Sequence, residues 1–590
     1  MFPRLTRVRR SPSKVDEYVQ LVESYRDEQG RSRQRVVVSL GRKDQLSAQL
    51  DALIRLLDRP RRWVDSNQLA APEQAPAWGR LLALRQAFQQ LGLEDILDRL
   101  EGPPPRGQAR LADRVLVLVA NRLCAPSSEH GLARWLESEF VCDRRRRRWL
   151  PAWRDDEERR GSRRPRVRVQ DAQLNGWYRT LDALAAHKTT IEKQLFLRLR
   201  DLFSLRAEMV FYDLTSTYFE GSGPAGLARH GYSRDGRPRQ RQVLVGMVRV
   251  DGWPIAQHVF RGNLRDAQTV EPVLEDLRRR FGLRRVVFVG DRGMMTSENL
   301  DRIRSRGQGY LLGLKRRRNE QVRRYIEQAQ GPWQDCPAGI TAREKAVPPR
   351  TRVQQVAGEE AGVRVFVVDS EQRREYEQAQ REKAMEALRE ELEALARRVA
   401  AGKLKAPEKV GAAAARILDR RHGSRYFGWE YKAGQFRYYE HPLHFEREKA
   451  LEGKYLIQTE EPQLTPVEAV ERYKDLMEVE QAFRDLKDVI EMRPIYHHTK
   501  RRVEAHIFVA ALALLLKHAI GRKLQQAGLD LSAEEALGAL ATVQLLDLEL
   551  PQGESKRLVT RGSRRAQQVL QALGIRDRRP PGGPAQKPRM

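Results

Sequence analysis

The sequence is poor in cysteine and has no long apolar segment. Its 590 residues include three cysteines, Cys124, Cys142 and Cys336, whose spacing implies neither a zinc ribbon nor a disulfide framework. The first residues, MFPRLTRVRR, lack the apolar core of a signal peptide. The longest apolar run, IFVAALALLL from Ile507, is far short of the roughly 20 residues that span a bilayer. We therefore expect a reduced, soluble, cytoplasmic protein with no membrane partner.

Acidic residues are few relative to basic ones. The sequence has 79 Asp and Glu against 109 Lys and Arg, which gives a formal net charge of +30. Such an excess favours a polyanionic partner, most often nucleic acid; the alternative is an Arg-rich composition with solvated basic faces. The arginine run Arg144–Arg148 cannot pack against itself, so we expect it to contact solvent or phosphate. A nucleic-acid partner in turn predicts association with the nucleoid.

Apolar periodicity divides the first part of the chain into a hairpin and a helical region. Residues 17–40 alternate between polar and apolar positions around a Glu-Gln-Gly turn, as in a small β-hairpin. Residues 78–205 have helical periodicity, interrupted by a basic segment that contains prolines. The first two hundred residues are therefore predicted to form a hairpin followed by helices.

A β-rich block follows, and it begins with a carboxylate inside a strand. The segment MVFYDLTSTYFEG is dense in β-branched and aromatic residues, which predicts a largely buried strand around Asp213. Asp251-Gly252 joins two apolar runs as a hairpin, and a helix ending at Gly282 leads to a short strand that stops at Asp291. A helix and the strand GYLLGLK complete a mixed sheet. A right-handed crossover then brings the strand ending at Asp291 beside the strand that carries Asp213.

Residues 316–455 interrupt this sheet with a strand, VRVFVVD, and a long charged helix. The helix has a narrow apolar stripe, made of Met385, Leu388, Leu392, Leu395 and Val399. We expect this stripe to pack in a core rather than to form a dimer contact. After the strand KYLIQT, a further helix opens at Thr465, with Pro466 in its first turn and Glu468 completing a capping box.

That last helix carries a glutamate within its apolar stripe. Steps of three and four residues predict one face, made of Tyr473, Leu476, Met477, Glu480, Phe483, Arg484 and Lys487. Glu480 lies in this stripe, whereas Glu478 is two residues, or about 200° of rotation, away from it. The alternative is that Glu480 is a boundary residue that pairs with Arg484.

Two further motifs do not predict sites. Residues 221–226 spell GxGxxG after a strand, but a turn-rich basic segment follows where a dinucleotide-binding fold needs a helix. His497, His498 and His506 lack metal-ligand spacing, which favours surface or packing roles for them. Neither a cofactor loop nor a histidine metal site is therefore expected.

Asp213, Asp291 and Glu480 together predict a site of three carboxylates. They lie mid-strand, at a strand end and on the apolar face of a helix, where an uncompensated charge is costly. Oxygen ligands in this number suit Mg²⁺ or Mn²⁺. Two such ions activate a water or a 3′-hydroxyl and stabilise the leaving oxygen of a phosphodiester. We therefore expect chemistry on a nucleic-acid backbone that depends on two divalent cations.

In these segments the chain resembles the DDE transposases of bacterial insertion sequences, whose catalytic core has a ribonuclease-H-like fold. The resemblance is carried by FYDLTSTYFEG, HGYSRDGRPRQRQVLVGMVRVDGWPIAQHVFRGNLRDAQTV, VGDRGMMTSENL and YKDLMEVEQAFRDLK. One subgroup of the family has a Tyr-x2-Arg-x3-Glu-x6-Lys signature on its last catalytic helix. Tyr473, Glu480 and Lys487 match this signature, and Leu476 stands at the arginine position.

The resemblance implies a fold and roles for individual residues. The fold is α/β, a ribonuclease-H-like mixed sheet flanked by helices, interrupted by a β-rich insertion domain and preceded by a helical region. The long helix is a departure from the mainly β insertion of relatives. The implied metal-binding triad is Asp213, Asp291 and Glu480. The candidate DNA-binding residues are Tyr473, Lys487, Arg292, Arg144, Arg145 and Arg146.

The same resemblance gives a domain layout. The predicted regions are an N-terminal β-hairpin region at 1–60, a helical DNA-end-binding region at 75–204, a catalytic core at 205–315 and 456–525, an insertion domain at 316–455, and a C-terminal helical region with a basic tail at 526–590. The N-terminal part, roughly residues 1–200, lies outside the catalytic core and is expected to recognise the DNA ends.

The predicted function is that of a transposase. Such an enzyme binds the terminal repeats of its element as double-stranded DNA, cleaves them and joins the 3′-ends to target DNA, and we expect it to act as a homodimer on DNA. The alternatives are a metal-dependent nuclease, an inactive DNA-binding relic and a glycoside hydrolase with paired carboxylates. The basic charge and the third carboxylate count against the hydrolase.

Overall fold

The structure is a computed structural model. It describes residues 2–11, 14–27, 29–43, 75–103, 109–144, 148–149, 169–205, 208–291, 296–314, 320–337, 350–550 and 554–579. In these ranges the strands are β1 (Phe2–Ser11), β2 (Lys14–Arg26), β3 (Ser32–Arg42), β4 (Met209–Tyr218), β5 (Gln242–Val250), β6 (Trp253–Arg261), β7 (Val287–Asp291), β8 (Gly309–Leu314), β9 (Gln334–Cys336), β10 (Thr351–Ala357), β11 (Arg364–Ser370), β12 (Phe427–Lys432), β13 (Gln435–Glu440), β14 (Lys454–Thr459), β15 (Leu545–Leu550) and β16 (Glu554–Val559).

The α-helices are of very different lengths, and the two longest lie before the catalytic sheet and in the insertion. In chain order they are α1 (Gly79–Gln90), α2 (Leu93–Glu101), α3 (Leu111–Cys124), α4 (Leu132–Ser138), α5 (Val169–Phe203), α6 (Val270–Phe281), α7 (Ser297–Ser305), α8 (Glu320–Gln328), α9 (Glu371–Ala400), α10 (Pro407–Arg420), α11 (Pro442–Leu451), α12 (Pro466–Arg484), α13 (Lys500–Gln526), α14 (Ala533–Leu540) and α15 (Arg564–Ala572).

The chain divides into two compact units, of which the smaller contains the N-terminal sheet. This unit comprises residues 1–75, 546–558 and 582–590. Its sheet has the order β1-β2-β3 with antiparallel pairing, so the predicted hairpin is confirmed and gains a third strand. The first strand was not predicted, because the cations of β1, including Arg4 and Arg7, interrupt the alternation of polar and apolar residues.

The larger unit, residues 76–545 and 559–581, is built on one sheet of nine strands. Its first half has the order β6-β5-β4-β7-β8. Strands β4, β5 and β6 are antiparallel, whereas β4, β7 and β8 are parallel. The β5–β6 turn uses Asp251 and Gly252 at φ of 46° and 80°, as a two-residue hairpin turn requires. This mixed sheet flanked by helices confirms the predicted ribonuclease-H-like fold class.

Strands from the insertion continue the same sheet. Beyond β8 the order is β14-β11-β10-β9, and every pair is antiparallel. The expected β-rich character of residues 316–455 is therefore present, but the strands extend the core sheet and do not form a sheet of their own. The hairpin β12–β13 is separate.

A second core lies where α9 and α10 pack together with the β12–β13 hairpin. The predicted stripe of α9 is buried along its whole length, at Met385, Leu388, Leu392, Leu395 and Val399. These residues share a cluster with Val410, Leu418, Phe427 and Phe436. The stripe therefore packs in a core, as predicted.

Helix α13 is the centre of the helical layer. It packs against α1, α3, α5 and β6, so the predicted helical region at 75–204 shares one hydrophobic core with the catalytic sheet. By length and composition alone α13 is apolar enough to cross a membrane, but 72% of its most apolar stretch is buried inside the protein. Its hydropathy is that of a core helix.

Candidate active site

The two predicted aspartates lie level on neighbouring parallel strands. Strands β4 and β7 pair residue for residue, from Met209 with Val287 to Phe211 with Val289. Continuing this register by two residues places Asp213 beside Asp291, at which β7 ends. Neighbouring strands are about 4.8 Å apart. The structure therefore confirms the predicted juxtaposition of the two strands.

Asp213 is a half-buried carboxylate in an otherwise buried strand. Phe211, Tyr212 and Leu214 have at most 5% of their surface exposed. One carboxylate oxygen, Oδ1 of Asp213, accepts a hydrogen bond from the Leu214 backbone N–H at 2.7 Å. The low-dielectric surroundings make this charge costly to hold without further compensation.

Helix α12 crosses the sheet over these strands. Its start is the predicted capping box, in which the Thr465 hydroxyl accepts from the Glu468 N–H at 3.3 Å and the Glu468 carboxylate accepts from the Thr465 N–H at 3.0 Å. The helix packs against β4, β7 and β8. The helix start predicted from Thr465, Pro466 and Glu468 is therefore confirmed.

The buried face of α12 differs from the predicted one. Leu476, Val479 and Phe483 form the buried stripe, which Leu486 continues in the turn after the helix. Arg484, which the sequence pattern puts on that face, is exposed. The prediction was wrong in omitting Val479, because it followed the steps from Tyr473 and so rotated the stripe. The described side chains do not include those of residues 477, 478 and 480, so the choice of Glu480 over Glu478 stays a prediction.

Tyr473 lies beside the position of Asp291. A Cβ built on Gly313 would be 1.8 Å from the Tyr473 phenol oxygen, so the phenol fills the space above this glycine. Gly313 is the register partner of Asp291 on β8. Tyr473 also packs on Tyr455, with ring centroids 5.9 Å apart. The phenol is thus one strand away from the end of β7.

Lys487, at the other end of the signature, is ion-paired. Its Nζ lies 2.7 Å from Oδ1 of Asp235, a carboxylate with only 3% of its side chain exposed, and Arg493 contacts the same oxygen. The loop that carries Asp235 is held to β4, since the Arg234 N–H donates to the Ser216 hydroxyl at 3.1 Å. Lys487 is therefore anchored next to the strand of the first aspartate.

Tyr473 and Lys487 mark two ends of one line along the helix, and residue 480 lies midway between them. The line is regular up to Arg484, where α12 passes into a π-helical turn at residues 485–489. There the Ile490 N–H donates to the Asp485 carbonyl at 2.8 Å, which widens the turn that contains Lys487. Leu476, at the arginine position of the signature, is 6% exposed and belongs to the core.

Carboxylates surround the first arginine of the basic run. The Arg144 guanidinium donates to both oxygens of Asp98, at 2.6 and 2.8 Å, and also contacts Glu94 and Asp113. The Asp98 hydrogen bonds raise the pKa of Arg144 above its usual value. Arg144 is thus ion-paired within the protein, and its expected contact with DNA phosphate stays a prediction. Arg145, Arg146 and Arg292 lie outside the described residues.

Sequence reasoning missed one buried polar cluster. His497 Nε2 lies 3.6 Å from a Glu129 carboxylate oxygen, and His506 packs beside them with possible ligand atoms all within 4.8 Å. Nδ1 of His506 is 3.2 Å from the Arg122 guanidinium, and its Nε2 is 3.0 Å from the Met492 carbonyl. The carbonyl needs a donor, so Nε2 carries the proton and Nδ1 accepts from Arg122. Both nitrogens are used, which favours a hydrogen-bonded cluster over a metal site.

The pKa shifts in this cluster agree with a neutral imidazole. Burial, followed by the charge of Arg122, lowers the pKa of His506 to about 3. Burial raises the pKa of Glu129, but hydrogen bonding to His497 and the charge of Arg122 outweigh burial and lower the pKa below its usual value. No sequence pattern predicts this cluster, because Glu129 and the two histidines are far apart in the chain.

Two family models match the chain. The model described as transposase DDE domain matches residues 207–516, and the model described as IS1634 family transposase, N-terminal domain, matches residues 5–66. A comparison with curated proteins finds no match. The first model covers more than half of the chain and includes Asp213, Asp291 and all of α12. The chain therefore belongs to the DDE transposases of insertion sequences.

Proposed function

We propose that this transposase binds the terminal repeats of its element, cleaves them and joins the 3′-ends to target DNA, at a site made by Asp213, Asp291 and Glu480. The observation that supports this site is the register of β4 and β7, which sets two aspartates level on adjacent strands. Helix α12, which carries Glu480 in its sequence, packs across the same strands. We further propose that the enzyme acts on DNA as a homodimer.

The donor set fits a divalent cation. Three carboxylates supply hard oxygen ligands, which Mg²⁺ and Mn²⁺ prefer, and the partly buried carboxylate of Asp213 gains from a counter-charge. When bound, two such ions supply an activated water or 3′-hydroxyl and stabilise the leaving oxygen. We propose that Asp213, Asp291 and Glu480 hold them.

The remaining groups of the site bind and orient the DNA backbone. Lys487 lies beside β4 and Tyr473 beside the end of β7, so both lie next to the strands that carry Asp213 and Asp291. The loop between β4 and β5 adds exposed cations, among them Arg229, Arg237 and Arg239. In this proposal the cations contact phosphates and set the register of the strand, without reading its sequence.

The test is cleavage of a labelled terminal repeat in the presence of Mg²⁺ or Mn²⁺. Asp213→Asn and Asp291→Asn are expected to bind the ends and to lose cleavage, because an amide is a weaker cation ligand than a carboxylate. Full cleavage in Mg²⁺ by either variant would remove the site assignment. Cleavage by the wild type without joined products would identify a nuclease, and binding without cleavage an inactive relic.

We also propose that residues 1–200 recognise the ends. A fragment starting near 205 is a poor test, because α1, α3 and α5 pack on α13 and their removal would expose the core. Photocrosslinking of the full-length protein to labelled repeats, followed by peptide mapping, is the better measurement. Contacts found only outside residues 1–200 would contradict this part of the proposal.

A further inference from the structure

The insertion carries a helical hairpin, made of α9 and α10, that packs with the β12–β13 hairpin in the second core. Helix α9 begins directly after β11 and, with 30 residues, is about 45 Å long. Its first turns are fixed to the sheet, since Arg381 forms a buried ion pair with Glu452 and the Gly453 N–H donates to Glu377 at 3.0 Å. The far end, where α9 turns into α10, is therefore held at a defined distance from the catalytic sheet.

The far end of the hairpin is itself packed. The Trp429 ring lies 3.2 Å from where a Cβ would stand on Gly411 in α10. The Tyr431 hydroxyl donates to the Lys405 carbonyl at 2.9 Å, in the turn between the helices. Strand β12 thus supports both the turn and the first part of α10.

Positive charge is concentrated at this end. We define the basic tip by its exposed cations, Arg397, Arg398, Lys403, Lys405 and Lys409. The segment 397–409 contains these five cations and one acid, Glu408, whereas the rest of residues 371–451 has thirteen cations and thirteen acids. The whole net charge of residues 371–451 therefore lies in the basic tip.

Among the described side chains, the five tip cations have no carboxylate partner, whereas nine of the thirteen other cations of residues 371–451 have one. Arg389 pairs with Glu440, and Arg420 contacts Glu391. Within the part of the chain that the structure describes, none of the five tip cations forms an ion pair. The tip therefore holds like charges close together with no internal compensation, which disfavours the folded state slightly.

The stability of the two helices does not explain the positions of all five tip cations. Arg397 and Arg398 lie in the last turn of α9, where a cation is favourable to the helix dipole. Lys409 lies in the first turn of α10 and Lys405 just before it, where the dipole favours an anion. A stability requirement alone would place acids at these two positions. Their positive charge points to an external anion.

We propose that the basic tip binds the phosphate backbone of duplex DNA, at a contact separate from the carboxylate site and independent of DNA sequence. The inference rests on the proposed function, because it takes DNA as the partner. Duplex DNA presents one negative charge per about 1.7 Å of its axis, so a convex tip with five cations meets several phosphates at once. The length of α9 places this contact up to about 45 Å from the sheet.

The test measures DNA binding by full-length protein variants as a function of salt concentration. In the tip variant all five tip cations are replaced by Gln. The matched control replaces by Gln five exposed cations from the balanced part of the same region, Arg373, Lys383, Arg437, Arg447 and Lys449. Each variant is titrated by fluorescence anisotropy on a labelled random-sequence duplex of about 40 base pairs, which is longer than α9. Thermal melting monitors the fold.

The tip variant is expected to show a less steep dependence of log affinity on log salt concentration. Each phosphate that the tip no longer neutralises reduces the slope by about 0.9, so the loss of about two to four phosphate contacts reduces it by about 2 to 4. The control is expected to change the slope by less than about 1. Equal slopes for the tip variant and the wild type would overturn the proposal, and so would an equal change of slope in the tip variant and the control. If the tip variant melts early, Lys405→Gln with Lys409→Gln replaces it, since removing cations from a helix N-terminus does not harm the helix. A wild type that binds no DNA would instead overturn the proposed function itself.

Discussion

The substitution Asp235→Asn is expected to weaken the fold and to strengthen DNA binding. Asp235 holds Lys487 at 2.7 Å and also contacts Arg493, with 3% of its own side chain and 12% of the Lys487 side chain exposed. Removing one partner of a buried pair costs about 3–5 kcal/mol; an amide keeps one acceptor oxygen, so we expect about 3 kcal/mol. At about 2.1 cal/mol/K per residue this lowers the melting temperature of the larger unit by about 3 °C.

DNA binding is expected to move the other way. Without the carboxylate, Lys487 is no longer neutralised within the protein, so it is available to a phosphate and the salt slope becomes steeper by up to about 0.9. The matched control is Asp488→Asn, which removes the other carboxylate bound by Arg493, at 2.7 Å, but is 61% exposed. Such a surface pair contributes about 0–1 kcal/mol, so the control should change neither quantity measurably.

Two outcomes would refute this reasoning. If Asp235→Asn matched the Asp488→Asn control in both melting and anisotropy, Asp235 would not be holding Lys487 in solution. If Asp235→Asn bound DNA more weakly while its fold was intact, the carboxylate would be orienting Lys487 for the phosphate and not competing with it. Thermal melting and anisotropy titration on the same preparations distinguish these cases.

Four further predictions test other parts of the structure. Glu480→Gln should bind DNA and lose strand cleavage while Glu478→Gln cleaves nearly normally, and the reverse result would mean that α12 has been phased wrongly. Gly313→Ala should slow cleavage and lower the melting temperature, because its Cβ would lie 1.8 Å from the phenol oxygen above it; unchanged melting would contradict that contact. Arg144→Gln should lower the melting temperature by removing the cation that three carboxylates share, with no change in the salt slope of DNA binding; a less steep slope would restore a DNA role. Burial lowers the pKa of His506 below its usual value of about 6.5, so below that pH the unfolded chain binds a proton that the native state does not. The free energy of unfolding should therefore fall as the pH drops from 7.5 to 5.5, by up to about 1.4 kcal/mol per pH unit, and urea unfolding should show a smaller fall in His506→Gln.

Features with local causes were predictable from the sequence. The strand around Asp213, the hairpin at Asp251-Gly252 and the helix start at Thr465 each follow from a few adjacent residues. The family and the fold class were also predicted correctly, because the motifs that carry them are contiguous. The approach of Asp213 to Asp291 followed from the handedness of crossovers, although the one-to-one register did not.

Features that join distant residues were not predictable. The pair of Lys487 with Asp235 links positions 252 residues apart, and neither residue looks unusual in its own segment. The buried stripe of α12 depends on which face meets the sheet, so the sequence pattern could not decide that Val479 is inside and Arg484 outside. The metal ligands and DNA contacts stay predictions, because no contact among the described side chains tests them.

The continuity of the sheet restricts how the insertion can change while the core stays intact. Strand β14 covers β8 through the pairs from Leu456 with Leu314 to Thr459 with Leu311. A deletion that removed β14 along with the insertion would leave β8 paired with β7 on one side only and expose its other backbone edge, next to the buried side chains of Tyr310 and Leu312. An apolar edge strand of this kind recruits other chains and aggregates. The insertion can therefore be shortened only as far as β14 at its boundary, and forms of this transposase that remain soluble must keep β14 or replace it with another edge cover.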